Sequence, residues 1–191
     1  MERLIVATGN RGKAREFKEM LPMFDVVCLK DVGAACDVEE TGETFYENAL
    51  IKARAAAELF PEDYVLADDS GLEVDALGGA PGVHTARYAG ENATDAENIA
   101  KLLAALEGKK ERSARFVCQL VLLSPDGKIM TARGESEGEI LPAVRGKGGF
   151  GYDPVFFSRD LQKGFGECTA EEKNSVSHRG RALEKLRREL L

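Results

Sequence analysis

An apolar, β-branched run at positions 3 to 8 (RLIVAT) stops on Gly9-Asn10, and apolar residues then recur at Ala14, Phe17 and Met20-Leu21 until Pro22. A run of that kind, closed by glycine and followed by apolar residues three or four apart, predicts a strand, a glycine loop and a helix. The same alternation continues. Residues 25 to 29 (DVVCL) predict a second strand, and Thr44 opens T-x-x-E with Glu47 ahead of Phe45, Ala49, Ala53, Ala56 and Phe60, a capped amphipathic helix closed by Pro61. Residues 64 to 67 (YVLA) predict a short buried strand that runs into Asp68-Asp69-Ser70-Gly71, read here as its end. Thr94-x-x-Glu97 caps a further helix through Ile99, Leu102, Leu103 and Leu106 to Gly108.

The second half changes character. Residues 114 to 123 (ARFVCQLVLL) and 128 to 136 flank Pro125-Asp126-Gly127, a turn signal that predicts a long antiparallel hairpin. Another short strand is expected over 155 to 157, and Thr169-x-x-Glu172 opens a C-terminal helix with Val176, Leu183, Leu186 and Leu190 on one face. The order of elements predicts an α/β fold, a mixed β-sheet flanked by helices. At 191 residues the chain is expected to form one domain over 1–191, with two lobes as the alternative.

Composition removes several function classes. The 26 Lys and Arg against 33 Asp and Glu leave a formal charge of −7, so no general nucleic-acid partner is expected. No apolar run approaches the roughly 18 residues of a membrane span, and MERLIVATGN lacks the order of a signal peptide, so no membrane and a cytoplasmic location are expected. Cys28, Cys36, Cys118 and Cys168 contain no C-x-x-C pair and are accompanied by two His, which fits plain thiols better than a zinc cage or a disulfide framework.

Five constellations carry chemistry. Thr8-Gly9-Asn10-Arg11-Gly12-Lys13 lies between a strand and a helix, where backbone N–H groups, the helix end and a lysine could hold phosphate oxygens. It lacks the glycine spacing and the hydroxyl of a Walker A loop, and an ordinary strand-to-helix turn remains open. Asp68-Asp69-Ser70-Gly71 places two carboxylates after an apolar run, as a metal ligand or general base would require, or as a turn would. Glu39-Glu40-Thr41-Gly42 could bring another carboxylate to the same cation, or merely favour the following helix N-terminus. Residues 146 to 154 (GKGGFGYDP) surround Phe150, Tyr152 and Asp153 with glycine, a loop that could stack on a nucleobase or simply turn. In residues 173 to 180 (KNSVSHRG), Lys173, His178 and Arg179 could reach phosphate or base oxygens, or line a solvated helix face.

Taken in order, these segments resemble the inosine triphosphate pyrophosphatase family, the non-canonical purine NTP pyrophosphatases. The resemblance runs through ATGNRGKAREF at 7 to 17, EETGETFYENALIKARAA at 39 to 56, ADDSGLEVDALGGAPGVHTARYAG at 67 to 90, GGFGYDPVFF at 148 to 157 and EEKNSVSHRGRAL at 171 to 183. It implies Mg²⁺-dependent hydrolysis of ITP, dITP and XTP to the monophosphate and pyrophosphate, on an elongated mixed α/β fold that forms a homodimer, with the nucleotide site in the cleft between the lobes if the domain has two. Carried over by position, Thr8, Gly9, Asn10, Arg11, Gly12 and Lys13 would bind the triphosphate with Lys52. Asp69 would be the catalytic carboxylate and a metal ligand, with Glu39 or Glu40 as the second and Ser70 touching substrate. Phe150, Gly151, Tyr152, Asp153, Lys173, His178 and Arg179 would recognise the base. Arg87 is the nearest basic residue to a family lysine that has no clear counterpart here. A nucleotide-binding module without catalysis and a metal phosphatase acting on monoesters are the competing readings.

Overall fold

The computed structural model describes residues 1–9, 11–35 and 37–190, and of Arg11 and Gly12 the backbone alone. The expectations for Asn10, Cys36 and the Arg11 and Gly12 positions as ligands therefore lie outside what is described. The chain runs β1 (Glu2–Val6), α1 (Arg11–Met20), β2 (Phe24–Cys28), α2 (Phe45–Leu59), β3 (Tyr64–Val74), α3 (Asp95–Ala105), β4 (Ser113–Leu123), β5 (Ile129–Ile140), β6 (Phe156–Ser158), β7 (Lys163–Gly164), α4 (Ala170–Ser175) and α5 (His178–Leu190). Among the described residues the strands form a seven-stranded sheet in the order β2-β1-β3-β4-β5-β6-β7. β1 pairs in parallel with β2 and β3, while β6 pairs antiparallel with β5 and β7, so the sheet is mixed. β4 and β5 are neighbours joined by a turn in which Ser124 N–H donates to the Lys128 carbonyl at 3.0 Å and Gly127 N–H to the Ser124 carbonyl at 2.9 Å.

The chain divides into two compact units, Met1–Asp69 with Cys118–Gly134 and Arg179–Leu191, and Ser70–Val117 with Glu135–His178. In the first, strand alternation sorts side chains onto two faces. Leu4, Val6, Leu66, Leu120 and Leu122 pack with Phe17 and Leu21 of α1 and with Ala182, Leu183 and Leu186 of α5. Ile5, Ala7, Val65, Ala67, Val121 and Leu123 point the other way, onto Ala49, Ala53 and Ala56 of α2. That alanine stripe leaves no bulk between helix and sheet, so α2 lies close to the strand ends. The second unit has a core of its own, in which Leu72 and Val74 meet Ile99, Leu102 and Leu106 of α3 and the aromatic rings of Tyr152, Phe156 and Phe165.

The three capping boxes predicted at Thr44, Thr94 and Thr169 are all formed, each threonine accepting from the backbone N–H three residues on while that glutamate reaches back. Two expectations change. Residues 68 to 71 are not a turn at a strand's end; β3 continues through them to Val74. The C-terminal helix is two helices, because Val176 leaves the helical conformation (φ −119°, ψ 18°) and ends α4 before α5 starts at His178.

Candidate active site

The continuation of β3 decides how its two carboxylates are used. Successive strand residues point to opposite faces, so Asp68 follows Leu66 toward α1 and α5, and Asp69 follows Ala67 toward α2. Their partners agree. Asp68, with a side chain 2% exposed, accepts from Lys13 Nζ of α1 at 2.6 Å. Burial pushes its carboxyl up, but the fields of Lys13 and Arg179, the Lys13 hydrogen bond and the field of Lys52 outweigh burial and hold it below the ordinary 3.8.

Asp69 has the opposite balance. Its Oδ1 stands 3.7 Å from Lys52 Nζ of α2, and the same ammonium lies 3.4 Å from Glu40 Oε1. Burial first, then the charges of Glu40 and Asp68, raise the Asp69 carboxyl to about 6 against the lowering effects of Lys52 and Asn48. Glu40 and Asp69 both lie beside the Lys52 ammonium. Glu40, half-buried, is thus the acid brought to Asp69, whereas Glu39 is exposed. The Glu39–Gly42 segment is pinned from α2: the Gly42 N–H donates to the Oδ1 of buried Asn48 at 2.7 Å. A Cβ at position 42 would stand 2.6 Å from that oxygen, which is why glycine is needed there.

Of the glycine loop, Thr8 is half-buried and Gly9 exposed at the end of β1, where Thr8 N–H turns back to the Val6 carbonyl at 2.8 Å. Lys13 emerges from the first turn of α1 beside them. Arg179 belongs to this unit as well. Its Nη1 donates to Glu16 Oε2 of α1 at 2.8 Å, with the Arg179 side chain 13% exposed.

The second unit holds a different constellation. Asp153, its side chain 2% exposed, accepts from Phe150 N–H at 2.9 Å and from Lys173 Nζ of α4. The ammonium also stands 4.4 Å from the centre of the Phe150 ring and 5.6 Å from that of Phe165. Phe150 is 75% exposed, an outlying aromatic face fixed by its own backbone bond. Gly149 allows the turn: its φ is +73°, and a Cβ there would lie 2.1 Å from Asp153 Oδ2. Gly151 N–H donates to Asp95 Oδ2 at 2.8 Å. Tyr152, expected to touch substrate, is a buried core residue whose hydroxyl donates to the Thr85 carbonyl at 2.7 Å. His178 lies 5.6 Å centre to centre from the Phe116 ring, nearly parallel to it. Ser70 is half-buried on β3, and Arg87 faces Glu91 at 3.7 Å.

Sequence reading named Asp68 as one of two candidate carboxylates but missed its pairing with Lys13, and it missed Glu16 and Asn48 altogether. The signal for Asp68 was present: in YVLADD the apolar alternation continues to position 68, so a carboxylate there occupies a core-facing slot and needs a cation. Asn48 and Glu16 sit among ordinary polar helix residues and carried no such signal.

An α/β scaffold with two carboxylates and a lysine converging at a strand, beside a second lysine at a helix start, is that of a phosphate-handling hydrolase. The sequence model of the Ham1 family matches residues 4–189, and the chain belongs to that family. It is 50% identical over 187 residues to the dITP/XTP pyrophosphatase of Desulforamulus reducens, covering 96% of this chain and 92% of that protein. The dITP/XTP pyrophosphatase of Bacillus licheniformis is 50% identical over 190 residues, covering 97% and 96% of the two chains. The Ham1 protein structure of Staphylococcus aureus superposes with a TM-score of 0.93 at 42% identity, over 99% of this chain and 98% of the other. No helix among the described residues is long and apolar enough to cross a membrane.

Proposed function

We propose that the protein is a nucleoside triphosphate pyrophosphohydrolase that converts ITP, dITP and XTP to the monophosphate and pyrophosphate, removing them from the nucleotide pool. The observation that carries this reading is the sorting of Asp68 and Asp69 onto opposite faces of β3, one held by Lys13 and the other set beside Lys52 and Glu40. Its support from outside the chain is the dITP/XTP pyrophosphatases to which it is about half identical over nearly their whole length.

A triphosphate brings about four negative charges to a protein of net charge −7. Lys13 and Lys52 are the cations that would meet it in the first unit. Magnesium fits the donor set. No group of three or more His, Cys, Asp or Glu is arranged for a metal among the described residues, but Mg²⁺ takes one or two carboxylates with the remainder from phosphate and water. Asp69 and Glu40 would hold it, the mutual repulsion of their carboxylates being what a divalent ion relieves. When bound, Mg²⁺ neutralises charge on the phosphate oxygens and lowers the pKa of water. Asp69 would help position or deprotonate the water that attacks the α-phosphorus. Lys52, 3.7 Å from it, keeps that carboxylate oriented.

The second unit's group suits a purine. Phe150 offers a stacking face, and Asp153 with Lys173 offers an acceptor and donors beside it. A donor set aimed at the 6-oxygen of inosine or xanthine meets the amino group of adenine as donor against donor, which costs about 1–3 kcal/mol per group left without a partner. A homodimer in the cytoplasm is part of the same proposal. Incubating the protein with ITP and Mg²⁺ and identifying products tests it: IMP with pyrophosphate is expected, while orthophosphate release or no turnover would overturn it.

A further inference from the structure

Phe150 lies between Gly149 and Gly151, whose φ angles are +73° and +57°, so the residues on either side of it carry no Cβ to restrict the backbone. The direction of its exposed ring is therefore set by what holds the two peptide planes that meet at its Cα. The plane before it is held within the loop, Phe150 N–H donating to Asp153 Oδ2 at 2.9 Å. The plane after it contains the Phe150 carbonyl and the Gly151 N–H. That carbonyl accepts from Asp153 N–H at 3.2 Å, and the Gly151 N–H donates to Oδ2 of Asp95, the first residue of α3, at 2.8 Å. The first two bonds close the turn on itself, and the third ties its tip to a helix.

The α3 cap is complete without Asp95. Thr94 Oγ1 accepts from Glu97 N–H at 3.2 Å, and Glu97 Oε2 accepts from Thr94 N–H at 2.7 Å. The Asp95 carboxylate forms no ion pair among the described residues; its hydrogen bond goes to the loop, and a bond to a charged acceptor is the stronger kind. We propose that Asp95 is a positioning residue for base recognition, holding the peptide plane after Phe150 so that the ring presents its stacking face in one orientation. Asp95 itself touches neither base nor phosphate. Without it the glycine-flanked tip samples several orientations, and apparent affinity for the base falls by the fraction of molecules in the competent one. The inference rests on the reading of Phe150 as the base platform.

Steady-state kinetics with ITP and Mg²⁺, with inorganic tripolyphosphate as an inhibitor that has no base, test this. Asp95→Ala should raise the KM by ~5- to 10-fold, with kcat and the tripolyphosphate inhibition constant within ~2-fold of the parent. Asp95→Asn keeps an acceptor oxygen and should stay within ~3-fold. Thr94→Ala weakens the same helix start without touching Gly151 and should leave the KM within ~2-fold. The sequence has no tryptophan, so Phe150→Trp places a single emitter on the platform. Its fluorescence anisotropy should fall when Asp95→Ala is added and hold when Thr94→Ala is added. A parental KM in Asp95→Ala, an equal loss in Asp95→Asn or Thr94→Ala, or unchanged anisotropy in Phe150→Trp with Asp95→Ala would each overturn the proposal. A parental KM in Phe150→Ala would overturn the platform and the inference together, whereas a raised KM there beside a parental Asp95→Ala overturns the inference alone.

Discussion

Each unit of the molecule contains a nearly inaccessible aspartate held by a half-exposed lysine, Asp68 with Lys13 in the first and Asp153 with Lys173 in the second. What surrounds the pairs differs. Around Asp68 lie further charges, Asp69, Glu40, Lys52 and Arg179; around Asp153 lie the Phe150 and Phe165 rings and glycine backbone. On the proposed reading the same ion pair would serve two chemistries. Among charges it would be part of the field that meets a polyphosphate and its divalent ion, and beside exposed aromatic surface it would be the polar edge of a stacking platform. The comparison teaches that a buried Asp–Lys pair does not itself identify a ligand; the excess charge or excess apolar surface next to it does.

The sharpest way to break this comparison is to remove the acid from each side. Asp69→Asn should lower turnover of ITP at least ~100-fold with little change in KM, since it removes a positioned base from the charged cluster. Steady-state kinetics with near-parental turnover would end that assignment. Lys52→Met should come next, lowering turnover by ~10- to 100-fold through loss of the group that orients Asp69. For the metal, Glu40→Gln should raise the Mg²⁺ concentration needed for half-maximal rate by ~10-fold, and Glu39→Gln by less than ~2-fold, because Glu40 is half-buried beside the Lys52 that faces Asp69 whereas Glu39 is exposed. Equal effects at 39 and 40 would contradict the geometry.

The smallest effect is on stability. A carboxyl raised from 3.8 to about 6 has its ionised form destabilised in the folded state by at most about 3 kcal/mol. Below about pH 4 the group is protonated in both states and contributes nothing. Between there and about pH 6 only the unfolded chain is ionised, so stability falls as pH rises, and the loss is complete above. Metal-free Asp69→Asn should therefore be more stable than the parent at pH 8, by about 1–3 kcal/mol, with the gain gone near pH 4. Urea unfolding at the two pH values checks this. Asp68→Asn should show the opposite trend, a loss at pH 8, because its carboxyl is held below 3.8 and its charge stabilises the fold.

Much of this was legible in the sequence where the physics is local. The capping boxes at Thr44, Thr94 and Thr169 depend on residues three apart, and all three formed. The mixed sheet followed from the order of strand and helix patterns. Residues 68 to 71 were misread because Asp, Ser and Gly favour turns in isolation, whereas here long-range pairing extends the strand. The break after α4 was hidden because Val176, Leu183 and Leu186 keep a helical spacing, yet Val176 packs in the second unit's core and the two leucines in the first's. The candidate site was legible as residue types. The pairing of Lys13 with Asp68 and of Arg179 with Glu16 spans 55 and 163 positions, and no local pattern encodes a contact at that separation.

The division of labour between the two lysine-held aspartates is open to one direct measurement, the KM for ITP set beside the inhibition constant of tripolyphosphate in Asp153→Asn and in Lys13→Met. Asp153→Asn should raise the KM by ~10-fold or more and leave tripolyphosphate inhibition within ~3-fold of the parent, while Lys13→Met should weaken both by ~10-fold or more. Loss of tripolyphosphate inhibition in Asp153→Asn, or its persistence in Lys13→Met, would contradict the account.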